Sequence, residues 1–84
     1  MLNVLFFGRI REELDCAQLT VAPGPGCDDL DALQKHLETM HGDRWQTVLG
    51  QDNLIRAVNH AVVSVNVPLV DGDEVAFFPP VTGG

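Results

Sequence analysis

The stretch Leu2–Gly8, near the start of the chain, is apolar at nearly every position. Successive side chains of an extended strand point to opposite faces, so Val4 and Phe6 share one face while Leu5 and Phe7 share the other. A strand with two apolar faces is typical of the middle of a sheet rather than its edge. We therefore predict a central strand here, with its second face held for a partner protein.

The stretch Glu74–Phe78 repeats this pattern near the other end of the chain. Val75 and Phe77 fall on one face, and Ala76 and Phe78 fall on the other. A candidate partner interface is therefore assigned to Phe77 and Phe78 together with Phe7 of the first strand, with the expectation that one of the two strand-end phenylalanines belongs to the core instead.

Three further strands are predicted from alternation and from turn residues. Leu19 and Val21 alternate with polar neighbours, which is typical of a half-buried strand over Ala17–Ala22. Asparagine tolerates the left-handed conformation of a tight turn, so Asn59-His60 is predicted to join two strands. Those strands are Leu54–Asn59 and Ala61–Ser64. A loop over Pro68–Asp73, which contains a turn at Asp71-Gly72, then leads to the last strand.

Helical spacing of apolar residues predicts one long helix and two short ones. In the segment Asp29–His41, apolar side chains recur every three or four residues and form one buried stripe. Asp28 or Asp29 is expected to cap its start, and Gly42 to follow its end. The stripe consists of Leu30, Leu33, Leu37 and Met40.

The first short helix is a turn over Arg9–Asp15, in which Ile10 and Leu14 are four residues apart. The second is a segment of Asp43–Asn53 with Trp45 packed inward.

The predicted order of elements indicates an α+β fold, with a sheet covered on one face by one main helix. The first and last strands are the most apolar and are placed at the centre. The helix lies between them in the chain, so they are expected to pair in parallel. This arrangement is a β-grasp with a mixed sheet.

Length, composition and charge narrow the class of function. A chain of 84 residues, 45% hydrophobic and 20% charged, predicts one globular domain over residues 1–84. The net charge of −7 argues against nucleic acid and anionic membranes, and it suits a protein partner with a basic face. No apolar run reaches the ~20 residues that span a bilayer, and no signal segment is evident, so a cytosolic protein is expected.

Cysteine and histidine usage indicates no metal centre. Cys16 and Cys27 are expected to be reduced thiols, because no secretion signal accompanies them. Their spacing from His36, His41 and His60 does not fit a zinc site. No tightly bound cofactor is expected either.

Three segments resemble a known family. The stretch Asp71–Gly84, with the sequence DGDEVAFFPPVTGG, resembles the C-terminal signature of the small, sulfur-carrying subunit of molybdopterin synthase, the MoaD family. Leu2–Leu14 resembles the opening strand and short helix of that family, and Arg56–Asn59 resembles its third strand. The residue before the long helix is aspartate here, whereas the family often has threonine at this place. This difference affects only the helix cap. The resemblance covers the whole chain and implies a ubiquitin-like β-grasp.

The resemblance also implies a reaction and two partners. The carboxylate of Gly84 is expected to be adenylated with ATP by an activating enzyme (MoeB) and converted to a thiocarboxylate. The tail is then expected to enter the active site of the large subunit (MoaE) and to give its sulfur to precursor Z, cyclic pyranopterin monophosphate. Synthases of this family are heterotetramers, with two small subunits on a dimer of large ones.

The tail itself, residues 79–84, is predicted to be flexible and to insert into the partner. Gly83 lacks a Cβ atom and is expected to allow passage through a narrow channel. Pro79 and Pro80 favour an extended chain, and they set the reach of the tail together with Val81 and Thr82.

Other interpretations remain open at this point. A ubiquitin-like sulfur carrier for thiazole or tRNA thiolation would share the diglycine end and the activation chemistry. A protein modifier joined to lysines would be found as conjugates rather than as a free thiocarboxylate. A persulfide carrier would use Cys27 near a helix start, although Asp28 and Asp29 oppose a thiolate there. A plain binding module with a frayed end is the simplest alternative.

Overall fold

The computed structural model describes residues 1–79, and within them it contains five strands and three helices. Each predicted element is present; the last strand has the predicted bounds, and the bounds of the others differ by at most four residues from those expected. In chain order the elements are β1 (Leu2–Phe6), α1 (Gly8–Leu14), β2 (Gln18–Val21), α2 (Leu30–Met40), α3 (Asp43–Leu49), β3 (Ile55–Val58), β4 (Ala61–Val63) and β5 (Glu74–Phe78).

The five strands form one mixed sheet in the order β2-β1-β5-β3-β4. β1 and β5 pair in parallel, with Val4 opposite Val75 and Phe6 opposite Phe77, whereas the other neighbours are antiparallel. The prediction that the first and last strands lie side by side and run in parallel is confirmed. This is the β-grasp arrangement expected from the sequence.

The core lies between the sheet and the three helices, which cover the same face of it. Alternate residues of β1 and β5 point into this core, as do the apolar stripes of the helices. Each large apolar side chain that is fully buried contributes about 1.5–3 kcal/mol through removal from water. The side chains with less than 2% exposure are Phe6, Phe77, Leu2, Ile10, Leu30, Leu33, Leu37, Leu49, Val4 and Val75.

Aromatic rings connect the sheet to α3. The Phe6 ring lies 5.3 Å from the Trp45 ring in an edge-to-face arrangement and 5.8 Å from Phe77 in a stacked one. Trp45 is buried, so its predicted inward packing is confirmed. His41, expected at the last turn of the long helix, stacks on Trp45 with ring centroids 4.0 Å apart.

The ends of α2 test two predictions. Asp29 is the N-cap, and its Oδ1 accepts a hydrogen bond from Ala32 N–H at 2.7 Å, as expected for one of the two candidate caps. Gly42 follows the C-cap residue His41 with a φ of +91°, also as predicted. Met40 was wrongly placed in the buried stripe, because it is the last residue of the helix and its side chain is 56% exposed.

The helices are short compared with a membrane span. At 11 residues, α2 is the longest of those within residues 1–79, and none of them has the length and apolar content that a bilayer crossing requires.

Candidate functional site

The base of the tail is held at the centre of the sheet. β5 pairs with β1 over Glu74–Phe77 on one side and with β3 over Val75–Phe78 on the other. Phe7 N–H donates to the Phe77 carbonyl oxygen at 3.1 Å, which extends the pairing nearly to the end of the strand. Pro79 follows directly and is half-buried. The point where the tail begins is therefore fixed by two neighbouring strands rather than by a loop.

The predicted reacting and inserting residues fall largely beyond this point. Gly84, Gly83, Thr82, Val81 and Pro80 lie outside the described residues. Their assignment, and the predicted flexibility of residues 79–84, stay predictions. Of the tail, the structure places Pro79 alone.

The phenylalanines at the end of β5 have different environments. Phe77 is fully buried on the helix-covered face, so its assignment to a partner interface is wrong and it is the core member of the pair. Phe78 points to the opposite face and is half-buried. Its ring stacks on Phe7 with centroids 4.8 Å apart and planes within 7° of parallel, and Phe7 is 40% exposed. Phe7 and Phe78 thus form one aromatic pair on the face opposite the three helices.

We use the name outer face for the side of the sheet opposite the helices. Across its middle, the strand register places Leu5 opposite Ala76, Ala76 opposite Ala57, and Ala57 opposite Val62. One row closer to the tail, Ile55 lies opposite Phe78. The apolar part of the outer face consists of Leu5, Phe7, Ile55, Ala57, Val62, Ala76 and Phe78.

The outer face is hollowed along the line between β5 and β4. One hollow of ≈ 350 Å³ has Ala57 and Ala76 among its lining residues, and a second of ≈ 470 Å³ reaches Pro79. The two hollows share Phe7, Val62 and Phe78. We call this continuous depression the outer trough. It leads from the middle of the sheet to the base of the tail.

A polar cluster closes the end of the outer trough that lies away from the tail. Asn59 and His60 form the predicted tight turn, with φ values of +50° and +72°. The amide oxygen of Asn59 accepts from Glu74 N–H at 3.0 Å, which ties the β3–β4 hairpin to the start of β5. His60 Nε2 lies 3.4 Å from Glu74 Oε2, and both residues line the trough.

Asp73 completes this cluster. Its carboxylate accepts from the backbone N–H of Val70 and from the side-chain amide of Asn59, each at 2.9 Å. These two hydrogen bonds, the backbone one more strongly, hold the pKa of the Asp73 carboxyl below its usual range. The carboxylate therefore stabilises the turn before β5.

The thiols do not form a reactive site in the described part of the chain. Cys27 is buried, and this burial, followed by the nearby charge of Asp28, raises the pKa of its thiol. The thiolate that a persulfide carrier needs is therefore disfavoured at Cys27. Cys16 is half-buried, with its Sγ 3.5 Å from the Gln18 carbonyl oxygen.

Sequence reasoning missed most of the outer trough. It assigned Phe7 and Phe78 to an interface but did not include Leu5, Val62 or the alanines. The alternation of apolar residues indicated that each strand has an outer side. The register that places Ala76 between Leu5 and Ala57 depends on pairing between distant segments, and no local pattern supplied it.

Comparison with known proteins places the chain in a family. Residues 4–84 match the model of the ThiS family. Over 84 residues the chain is 45% identical to the molybdopterin synthase sulfur carrier subunit of Escherichia coli K12, with all of both chains covered. It is 40% identical over 89 residues to the protein of the same name from Haemophilus influenzae, again with full coverage of both.

A known structure agrees in fold. The chain superposes with a TM-score of 0.69 on a chain from the complex of subunits 1 and 2 of the molybdopterin-converting factor of Helicobacter pylori 26695. The two are 30% identical, and the match covers 99% of this chain and 97% of that one. The chain therefore belongs to the ThiS family of ubiquitin-like β-grasp proteins, and over its whole length it is similar to molybdopterin synthase sulfur carrier subunits.

Proposed function

We propose that this protein is the sulfur carrier subunit of molybdopterin synthase. In this proposal the carboxylate of Gly84 becomes a thiocarboxylate, and its sulfur goes to precursor Z (cyclic pyranopterin monophosphate) to build the dithiolene of molybdopterin. The names of the full-length relatives from two bacteria support this assignment. The alignment with them reaches both ends of the chain, so it includes the segment that ends in Gly83-Gly84.

The single structural observation that carries the proposal is the position of β5. A carrier must present a reactive end to two partners in turn, which requires a rigid base and an accessible tail. β5 is hydrogen-bonded on both sides, and Pro79 follows it at the rim of the outer trough. The segment that bears Gly84 therefore starts from one of the best-anchored points of the fold.

Activation needs a partner, because a C-terminal carboxylate is ionised at neutral pH and is a poor acyl electrophile. An adenylating enzyme (MoeB) joins the carboxylate oxygen to the α-phosphorus of ATP and releases pyrophosphate. Hydrosulfide (HS⁻) from the sulfur donor then attacks the acyl carbon, the C–O bond to AMP breaks, AMP leaves with that oxygen, a proton is released, and a thiocarboxylate remains. ATP is thus a substrate of the activating partner. Gly83 has no Cβ atom, which suits passage of the tail through a narrow channel.

Sulfur delivery takes place on the large subunit (MoaE), whose active site receives residues 79–84. The neighbouring structure contains subunits 1 and 2 of the molybdopterin-converting factor, which supports a partnership of this type. The Phe7–Phe78 pair lies beside the base of the tail, so we assign it to the contact with the large subunit. The net charge of −7 favours association with a basic partner face. Two carriers on a dimer of large subunits form the synthase.

The mass of the intact protein tests the activation step. The chain is incubated with the adenylating enzyme, ATP and a sulfur donor, and we expect replacement of one oxygen by sulfur, localised to Gly84 by fragmentation. The variant without Gly84 should fold normally and gain no sulfur. Cys27→Ser is the matched control and should gain sulfur as the parent does. Sulfur found on Cys27, or none at all, overturns the proposal.

A second assay separates this pathway from other sulfur carriers. The thiocarboxylate form is mixed with the large subunit and precursor Z, and formation of molybdopterin is followed. We expect product in proportion to the thiocarboxylate consumed. A thiocarboxylate that persists in this mixture but is consumed in thiazole formation or tRNA thiolation would assign the protein to one of those pathways instead.

A further inference from the structure

We propose that Arg9 and Arg11 determine the product of the activated tail, because they place guanidinium cations rather than amines beside its base. The activated carboxyl group of Gly84 would acylate a lysine at either position and close an internal amide. This inference rests on the proposed function and deepens it, since it says how the carrier preserves its activated end for sulfur.

α1 begins against the base of the tail. Gly8, its first residue, packs on Pro79, and a Cβ atom on Gly8 would lie 3.1 Å from Pro79 Cγ. Arg9 is the next residue, and Arg11 follows two positions later on the same helix. The Cα atoms of both arginines therefore lie within roughly 10 Å of Pro79. The five residues after Pro79 span up to ~18 Å when fully extended, so the chain is long enough for its end to reach both arginines.

Opposite charge favours contact between the tail end and α1. A C-terminal carboxylate, a thiocarboxylate and the phosphate of an acyl adenylate are all anionic at neutral pH. The Arg9 side chain is 63% exposed and Arg11 is exposed as well, so both cations are open to an approaching anion. Such a surface attraction contributes up to ~1 kcal/mol, and a short tether gives an effective concentration of about a millimolar. The chemical nature of the cation therefore matters at these two positions.

The structural roles of these residues do not require arginine. Arg9 Nε lies 3.4 Å from Glu13 Oε1, in an exposed pair of residues four apart on the helix, which lysine also forms. Arg11 lies in the last turn of α1, where any cation interacts favourably with the helix carbonyls. What lysine would add is a nucleophile. The guanidinium stays protonated, whereas about 0.1% of lysine side chains are neutral amines at pH 7.4.

The amines of the chain lie elsewhere. Four of its five basic side chains are arginine, and its one lysine, Lys35, is on α2. Lys35 lines a polar hollow with Glu38, and Pro79 is not among the described residues of that lining. The amino group of Met1 pairs with Asp71, and the ~17 Å length of β5 separates this pair from Pro79. The two cations on the helix that touches the tail base are thus both guanidinium groups.

The side reaction that these arginines prevent is acylation of an amine. A neutral lysine amine attacks the acyl carbon of the Gly84 adenylate, a C–N bond forms, and the C–O bond to AMP breaks. AMP leaves with that oxygen, and the nitrogen releases a proton. The product is an internal amide that is lighter than the parent chain by one water and has no carboxyl group left to receive sulfur.

The first test introduces the amine. Arg9→Lys and Arg11→Lys are incubated with the adenylating enzyme of the same organism and ATP, without a sulfur donor, and the intact mass is measured. We expect a species lighter by one water, in which fragmentation places an amide between Gly84 and the substituted position. Arg44→Lys is the matched control, because it makes the same exchange at an exposed position on α3. It should give at least about tenfold less of this species, and the parent should keep its mass.

Two further measurements separate the added amine from the lost guanidinium. The rate of amide formation from the adenylated chain should rise about tenfold per pH unit between pH 7 and pH 9, as the neutral fraction of lysine does. With a sulfur donor present, Arg9→Gln should form no amide, whereas Arg9→Lys should divide between thiocarboxylate and amide. Urea unfolding checks that both variants are folded.

Pyrophosphate release separates failure of the proposed function from failure of this inference. A parent chain that releases no pyrophosphate with the adenylating enzyme contradicts the proposed function, and this inference with it. A parent that is adenylated, with Arg9→Lys and Arg11→Lys chains that keep their mass, overturns the inference alone. An internal amide at Lys35 of the parent would also overturn it, because amines elsewhere in the chain would then be within reach.

Discussion

Replacing each phenylalanine at the end of β5 by alanine separates the two faces of the strand. Phe77 is fully buried and stacks on Phe6, whereas Phe78 is half-buried and stacks on Phe7. The two residues are adjacent, have the same side chain and end the same strand. A difference in stability or binding between the two variants therefore reflects the face of the sheet on which each side chain lies, and not the position of the residue along the strand.

The expected losses follow from burial. Phe77→Ala leaves a cavity in the core and should lower the free energy of unfolding by about 3–5 kcal/mol. For a domain of this size that corresponds to a fall in Tm of roughly 12–40 °C. Phe78→Ala loses a partly buried ring and one aromatic pair, so about 1–2.5 kcal/mol is expected. Binding to the large subunit should respond in the reverse order, with Phe78→Ala losing about 2 kcal/mol or more, roughly thirtyfold in Kd.

Urea unfolding at 25 °C measures the free energy of unfolding of each variant. Titration calorimetry measures its dissociation constant with the large subunit. Phe77→Leu is the control that retains a large apolar side chain, and it should fold stably and bind as the parent does. Equal losses of stability for the two alanine variants, with unchanged m-values, would show that the face assignment is wrong. Unchanged binding by Phe78→Ala would remove the aromatic pair from the docking surface.

Further predictions concern the cap, a carboxylate and a thiol. Asp29→Ala should lower stability by about 1 kcal/mol through loss of the α2 cap, measured by urea unfolding against the parent. The pKa of Asp73 is lowered by hydrogen bonds from a backbone N–H and from Asn59, so its contribution to stability is complete above the unfolded value of about 3.9 and is lost as the pH falls through the lower folded value. The Asp73→Asn variant should therefore lose less stability than the parent between about pH 5 and pH 2. Thermal melting at several pH values measures this difference. Because burial raises the pKa of Cys27, its alkylation by iodoacetamide at pH 8 should be slower than that of Cys16, and equal rates measured by peptide mass spectrometry would contradict its burial.

Much of the fold could be predicted because its signals are local. Alternation identified the strands, spacing identified the helices, and Asn59-His60 and Asp71-Gly72 identified turns. The parallel placement of the first and last strands followed from their two apolar faces and the helical crossover between them. Met40 shows where local reasoning ends. Its spacing fits the stripe, but burial also requires a surface opposite it, and the helix stops there.

The site was only partly predictable, for two physical reasons. A strand that is apolar on both faces does not indicate which face the helices cover, so Phe77 and Phe78 could not be told apart before packing was known. The outer trough requires a register between segments far apart in the chain, and it is defined by the small size of Ala57 and Ala76 as much as by apolar neighbours. The reacting end was indicated by resemblance alone, since residues 80–84 lie outside the described part of the chain.

The central position of β5 also bears on how the chain matures during synthesis. β5 lies between β1 and β3 in the sheet, so neither strand has a neighbour on that side until residues 74–78 have been synthesised. All the other strands precede these residues in the chain. Completion of the sheet therefore waits for the last strand, and the long-range parallel pair makes this a comparatively slow step. A product truncated before β5 would lack the middle of its sheet and leave two strand edges open to aggregation or proteolysis. Chains truncated before β5 would thus be removed as misfolded proteins, whereas loss of Gly84 alone leaves all five strands in place.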